Sequence, residues 1–149
     1  MNRPVSLHGD ALTRGQARGA VVFLEEPLSF WGGYDSEHGV IIDKRHSAHG
    51  TSLAGAVLVM PRAKGSSSSS SVLAEAIRRG TGPVAIVLRE RDLIIAIGAI
   101  VASDLYGLHV PVVVLAEADF ATLSQSREPV HIDAPDDSAQ ACITLSSQP

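Results

Sequence analysis

The chain is short of cysteine, of aromatic residues, of basic excess and of long apolar runs, and each shortage excludes a class of function. One thiol, Cys142, in 149 residues rules out an internal disulfide and leaves this chain alone without the thiolates of a zinc or iron–sulfur site. The aromatics are Phe23, Phe30, Trp31, Tyr34, Tyr106 and Phe120, so stacking platforms for bases are scarce. A formal net charge of −4 gives no electrostatic footprint for nucleic acid. The longest apolar stretch, Leu93 to Ala102, is bounded by Asp92 and Ser103-Asp104. It falls well short of the roughly 20 residues that a membrane-spanning helix needs. Met1 to Asp10 lacks a basic start followed by an apolar run, the pattern of an export signal. The expectation is a soluble, cytoplasmic protein with neither nucleic acid nor membrane as partner.

What the chain does contain is enough apolar residue, 45% against 19% charged, for a folded domain with its own core. Strands are expected at 19–24, 39–42, 53–60, 83–88 and 110–115, with short terminal strands at 130–133 and 141–145. Residues 1–18 are polar and glycine-containing, with a weak strand signal at 4–7. Helices are expected at 72–79, ending at Gly80; at 93–106, capped by Asp92 and closed by Gly107; and at 116–124. The second of these is apolar nearly all round, which predicts a helix sandwiched in the core. Continuous apolar strands separated by helices predict parallel pairing in the middle of the chain. The first part reads as a meander or small barrel-like layer. The whole is expected to be one α/β domain, 1–149, with a core over 19–145 and a frayed tail at 146–149.

Six consecutive serines, Ser66 to Ser71, come after Lys64-Gly65 and lead into the first helix. Composition alone calls such a run a linker. Its place between an apolar strand and a helix gives it another reading. Hydroxyls and free N–H groups at a helix N-terminus can hold an anion or tune a reactive hydroxyl. The spacing is not that of a phosphate loop, whose lysine comes after the last glycine, nor of a Gly-x-Ser-x-Gly elbow. A serine hydroxyl is almost un-ionised at neutral pH; a helix N-terminus and a cation such as Lys64 both favour its alkoxide. Capping without chemistry is the competing reading, although one or two serines suffice for a cap. His46 and His49, in the loop that begins at Asp43, read as solvated or substrate-facing rather than as metal ligands. His8, His38, His109 and His131 are dispersed and read as structural or surface residues. Gly32-Gly33 reads as a backbone requirement, and Phe30-Trp31 beside it as core or interface.

Several of these pieces occur together in one order. They are Phe30-Trp31-Gly32-Gly33-Tyr34-Asp35, then Gly39-Val40-Ile41-Ile42-Asp43 with His46 and Gly50, then Gly65-Ser66. Val84-Ala85-Ile86, Gly98-Ala99-Ile100-Val101-Ala102 and Pro111-Val112-Val113 complete the set. The combination, over roughly residues 19–115, resembles the small, swivelling-domain subunit of the aconitase X family. The resemblance implies a swivelling β/β/α fold like the mobile fourth domain of aconitase. It implies a hydro-lyase, active only with a large catalytic subunit that carries the iron–sulfur cluster, so that this chain binds no cofactor or metal itself. By motif position Ser66 is the general base. Lys64 is a candidate to lower its pKa or contact a substrate carboxylate, and Gly65 and Ser67 to hold substrate oxygens. Asp43 and His46 are candidates to line the cleft or dock the large subunit. The serine run departs from the Gly-Ser-Thr loop with a second glycine that is commoner in mevalonate 5-phosphate dehydratases. The expected substrate is therefore a small hydroxy acid of the cis-3-hydroxy-L-proline type, with mevalonate 5-phosphate as the alternative. A non-catalytic interaction domain, docking through the Trp31 loop and the serine loop, is the reading of another class. A stand-alone phosphohistidine carrier would need a histidine where the chain has serines.

Overall fold

Strands whose every side chain is apolar need cover on both faces, and that requirement shapes the molecule. The computed structural model describes residues 5–136 and 139–145. The expected frayed tail, and Pro4 of the weak first strand, lie outside the described residues. Four short strands, β3 (Val21–Phe23), β6 (Val57–Met60), β7 (Ala85–Leu88) and β8 (Val112–Val114), lie side by side and parallel. Alternation along each strand sends neighbouring side chains to opposite faces. Val57, Val59, Ala85, Val87 and Val113 enter one core, whereas Leu58, Met60, Ile86, Leu88 and Val112 enter another. The second core is roofed by α2 (Ser69–Arg79) and α3 (Leu93–Tyr106).

The first core is enclosed by the rest of the sheet. β1 (Val5–Thr13), β2 (Gly15–Gly19), β9 (Val130–Ala134) and β10 (Gln140–Leu145) extend it antiparallel, giving the order β2-β9-β10-β1-β8-β7-β6-β3. The two edge strands, β2 and β3, are joined through Ala20 alone, so the sheet curls until its edges meet. Phe120 and Leu123 of α4 (Glu117–Ser124) fill the curl together with Leu7, Ile132 and Ile143. A separate hairpin, β4 (Tyr34–Asp35) with β5 (Val40–Ile41), and the short turn α1 (Phe30–Gly33) lie between β3 and β6 in the chain. The expected parallel centre and barrel-like layer are both present, but the layer is built from the first and last strands together. β1 and β2 are full strands where the sequence carried only a weak signal. Six residue pairs with β10, from Val5↔Leu145 to Asp10↔Gln140, create β1, and no local pattern announces a long-range partner.

Two helices differ from expectation in an informative way. α2 begins at Ser69, three residues before Val72, because the serines themselves form its first turn. α3 begins and ends as read: Asp92 Oδ1 accepts from Ile95 N at 3.0 Å, and Gly107 closes the helix in the left-handed region. It is not sandwiched, however. Ile95, Ala96, Gly98, Ala99 and Ala102 are buried against α2 and the sheet, while Leu93, Ile97 and Ile100 face outward. Helices cover this sheet face in a single layer, so an all-apolar helix in that layer must expose one side. Among the described residues no helix is long and apolar enough to cross a membrane.

Gly98 sets the approach of α3 to α2. A Cβ at this position would fall 2.9 Å from the Ser70 carbonyl oxygen and 3.0 Å from Leu73 Cδ2. Gly98→Ala is expected to push the helices apart and destabilise the fold by about 1–3 kcal/mol, the range for overpacking. The measurement is a lower urea midpoint at unchanged m-value.

Candidate functional site

β6 delivers the chain to the C-terminal edge of the parallel strands, where it enters the serine loop. Just beyond the strands, Leu28 and Ala63 pair in parallel, and Lys64 N–H donates to the Leu28 carbonyl at 3.0 Å. The segment after β3 and the segment after β6 therefore run side by side into the site. The serines then make a tight turn. Ser66 Oγ accepts from Ser68 N–H at 3.3 Å, and the Ser66 carbonyl accepts from Ser69 N–H at 3.0 Å. The hydroxyls of Ser70 and Ser71 donate back to the carbonyls of Ser67 and Ser68 at 2.9 and 2.8 Å. Among the described residues nothing accepts from the N–H groups of Gly65, Ser66 and Ser67. Ser66 is half-buried; Lys64, Gly65 and Ser67 are exposed.

The fourth serine differs from its neighbours. Ser69 is only 2% exposed, and its Oγ accepts from Trp31 N–H at 3.1 Å. Trp31 (φ −73°, ψ 113°) and Gly32 (φ 78°, ψ −11°) are the two central residues of a type II turn, whose second position favours glycine. Phe30 is buried and stacks edge-on against Tyr34, with ring centroids 5.5 Å apart. The Phe30–Gly33 turn is thus anchored in the core and latched to the first residue of α2. Sequence reasoning missed this use of Ser69. Only the count of serines, more than a cap requires, hinted that some serve another purpose.

The loop beginning at Asp43 braces the same end. Ile42 N–H donates to the Gly33 carbonyl at 2.9 Å, tying Asp43 to the Trp31 turn. Asp43 Oδ1 accepts from Arg45 N–H at 2.9 Å, a local turn contact. His46 is not solvated, contrary to expectation: it is 5% exposed. Its Nδ1 accepts from Ala48 N–H at 3.0 Å, and its Nε2 lies 3.0 Å from the Glu26 carbonyl. An acceptor role at one nitrogen and a carbonyl at the other require the neutral Nε2–H tautomer. Both nitrogens are committed, so His46 braces the loop and has no polar atom left for a substrate. Hydrogen bonding from Ser47, and secondarily the positive charge of Lys64, hold the Glu26 carboxyl below the usual carboxylate range. Glu26 and Lys64 therefore share one electrostatic neighbourhood beside the serine loop.

Other features lie elsewhere. A groove of about 440 Å³ lined by Arg18, Ile77, Pro83, Val84 and Val110 sits at the opposite, N-terminal ends of the parallel strands. Asp35, Glu37 and His38 bring potential ligand atoms within 4.8 Å of one another. That proximity is a turn: Asp35 Oδ1 accepts from the N–H groups of Glu37 and His38 at 2.8 and 3.2 Å. The lone thiol, Cys142, is a partly buried residue of β10. A cluster held by several thiolates has no fit among this chain's residues.

A serine loop at the mouth of a helix, latched by a Phe-Trp-Gly-Gly turn and carried on a curled β/β/α sheet, can be compared with known proteins. Residues 6–141 match the aconitase X swivel domain family. The chain belongs to this family. It is similar to the cis-3-hydroxy-L-proline dehydratase of Pseudomonas aeruginosa, 41% identical over 131 residues, covering 83% of this chain and 23% of that protein. It is also similar to the phosphomevalonate dehydratase small subunit of Methanothermobacter thermautotrophicus, 38% identical over 123 residues, 83% of this chain and 89% of that one. The crystal structure of Thermococcus kodakaraensis aconitase X shares its fold, with a TM-score of 0.78 at 32% identity, covering 97% of this chain and 99% of that chain. This swivel domain thus spans under a quarter of the length of the first relative and most of the length of the other two.

Ser69→Ala is expected to leave the part-buried Trp31 N–H without its acceptor, at a cost of about 1–3 kcal/mol. Ser67→Ala, at an exposed hydroxyl, should stay within about 0.5 kcal/mol of the parent; denaturant midpoints tracked by Trp31 fluorescence compare the two. The exposed ion pair of Asp35 Oδ2 with His38 Nδ1, 2.6 Å apart, sets a pH window. The Asp35 hydrogen bond raises the His38 pKa, and the same bond lowers that of Asp35. The contribution of His38 is full below its unfolded pKa near about 6.5 and is lost as pH rises through its folded value. That of Asp35 is present above about 3.9 and is lost as pH falls through its folded value. NMR titration of His38 is expected to give a midpoint above the ordinary imidazole value, returning toward it in Asp35→Asn.

Proposed function

We propose that this chain supplies the proton-abstracting half of an aconitase X-type hydro-lyase, with Ser66 as general base. The observation that carries the reading is the state of Ser66 within its run. Its Oγ receives the Ser68 N–H, while Ser69, Ser70 and Ser71 are committed to the latch and to back-bonds within the helix start. A donor aimed at Oγ, the positive end of α2 and a cation two residues earlier in the chain, Lys64, all favour the alkoxide. In the proposed step Ser66 Oγ takes a proton from a substrate carbon. The electron pair of that C–H bond forms the new double bond as the C–O bond on the adjacent carbon breaks and the hydroxyl leaves as water. The acid or electrophile that assists its departure is proposed to come from a large catalytic subunit, as the small-subunit name of the Methanothermobacter thermautotrophicus relative suggests. Lys64 and the unpaired N–H groups of Gly65 and Ser67 suit an anionic oxygen on the substrate. Asp43, braced beside the Trp31 turn, is assigned to the cleft wall, and His46 to holding that wall in place.

For the substrate we propose cis-3-hydroxy-L-proline, supported by the 41% identity with the Pseudomonas aeruginosa dehydratase. A second reading, 5-phosphomevalonate, is supported by coverage: the chain matches 89% of the Methanothermobacter thermautotrophicus small subunit. Dehydration assays of the reconstituted enzyme on both compounds separate the two. In that enzyme Ser66→Ala is expected to lower kcat by at least ~10²-fold, the low end for loss of a positioned acid–base group, with the fold intact by circular dichroism. Near-normal turnover in Ser66→Ala would sink the assignment.

A further inference from the structure

Ten large apolar side chains are exposed among the described residues, and half of them bracket the serine loop. On one flank stand Trp31, 58% exposed, and Ile42, 45% exposed. The Trp31 backbone is bound to Ser69 Oγ, and Ile42 N–H to the Gly33 carbonyl of the same turn. On the other flank is the outward stripe of α3: Leu93, Ile97 and Ile100, 67%, 50% and 43% exposed. The spacings of four and three place them on one helix face. No charged residue occurs between Asp92 and Asp104. This stripe is held beside the loop at Gly98, where the helices approach so closely that a Cβ would fall 2.9 Å from the Ser70 carbonyl oxygen and 3.0 Å from Leu73 Cδ2. Both flanks are thus fixed to the first two residues of α2, immediately after the turn that carries Ser66.

From this arrangement we infer that Trp31 and Ile42 on one side, and Leu93, Ile97 and Ile100 on the other, form the docking rim on which the catalytic body of the enzyme seats, with the serine loop enclosed between them. Exposed apolar patches of this kind mark contact surfaces, and their aromatic and aliphatic character calls for an apolar, charge-poor counter-surface. The occupant is argued from the lengths of the relatives. In the Pseudomonas aeruginosa dehydratase the matched region is 23% of the protein, so a body more than three times as large accompanies it. A second copy of this chain would bury the serine loop against another serine loop and bring no group to complete the chemistry. A hydrophobic rim around a half-site also excludes water once closed, which strengthens every charge interaction inside.

The inference rests on the proposed dehydratase reading, and the test separates the two. The large subunit of the enzyme is titrated with the wild-type chain and with Ile97→Glu, Trp31→Ala, Leu108→Glu and Ser66→Ala, and both affinity and kcat at saturation are read. Leu108 is exposed at the opposite end of the strands and serves as control. Expected are Kd values raised at least ~10-fold for Ile97→Glu and Trp31→Ala, near-normal Kd for Leu108→Glu, and normal Kd with lost turnover for Ser66→Ala. A Kd within twofold of wild type for both rim variants, each folded by circular dichroism, overturns the rim and leaves the Ser66 result standing. A tight homodimer of the wild-type chain that Ile97→Glu dissolves in sedimentation velocity also overturns it, because the stripe is then a self-contact. Failure of the wild-type chain to bind the large subunit at all removes the dehydratase reading and the rim with it.

Discussion

Burial of β6 and β7 on both faces is the constraint on which the rest of the structure depends. All eight of their residues, Val57 to Met60 and Ala85 to Leu88, are fully buried. Each large apolar side chain so placed is worth about 1.5–3 kcal/mol relative to exposure, whereas a single loop hydrogen bond nets about 0.5–1.5 kcal/mol. The strands therefore dictate and the loops adapt. Parallel pairing lays β3, β6 and β7 side by side, so the segments after them emerge at one edge. Ligand sites in parallel sheets form at that edge, outside the carboxyl ends of the strands. Here it gathers the Trp31 turn, the loop beginning at Asp43 and the serine loop.

The serine run divides its labour along the chain. Half-buried Ser66 and exposed Ser67 keep unpaired N–H groups, in a turn that stops short of the helix. Ser69 has gone into the interior to hold the Trp31 turn. Ser70 and Ser71 return their hydroxyls to carbonyls one turn back, which costs no apolar burial at an exposed helix start. A homopolymeric stretch thus holds three environments, distinguished by where the α2 axis points and what packs against it. The proposed base is the half-buried serine that opens the run, and the proposed rim surrounds it with apolar groups that a catalytic partner would cover.

The legible parts of the fold were those governed by local chemistry. Asp92 and Gly107 bounded α3 because capping and a left-handed residue act within one turn. The apolar runs of β6, β7 and β8 announced buried parallel strands. Illegible were β1 and β2, whose polar residues acquire strand geometry only through β10, β8 and β9. The outward face of α3 was misread for a related reason: an apolar sequence tells how much a helix could bury, and the number of covering layers tells how much it does. At the site, Ser66 was singled out by resemblance to the family motif and Lys64 by its place beside it, whereas the burial of His46 depended on a carbonyl twenty residues earlier, at Glu26.

The sequence by itself determined the class of the protein: an α/β chain with one thiol, no basic footprint, and a Gly-Ser loop between an apolar strand and a helix. Those are properties of composition and near neighbours, and they survive any choice of topology. Only the tertiary structure decided which serine is buried, which histidine is a brace, and that the exposed apolar residues stand on either side of the serine loop. Each of those outcomes depends on contacts between segments twenty or more residues apart, created when the sheet curls and α3 packs on α2, and no short-range pattern encodes them.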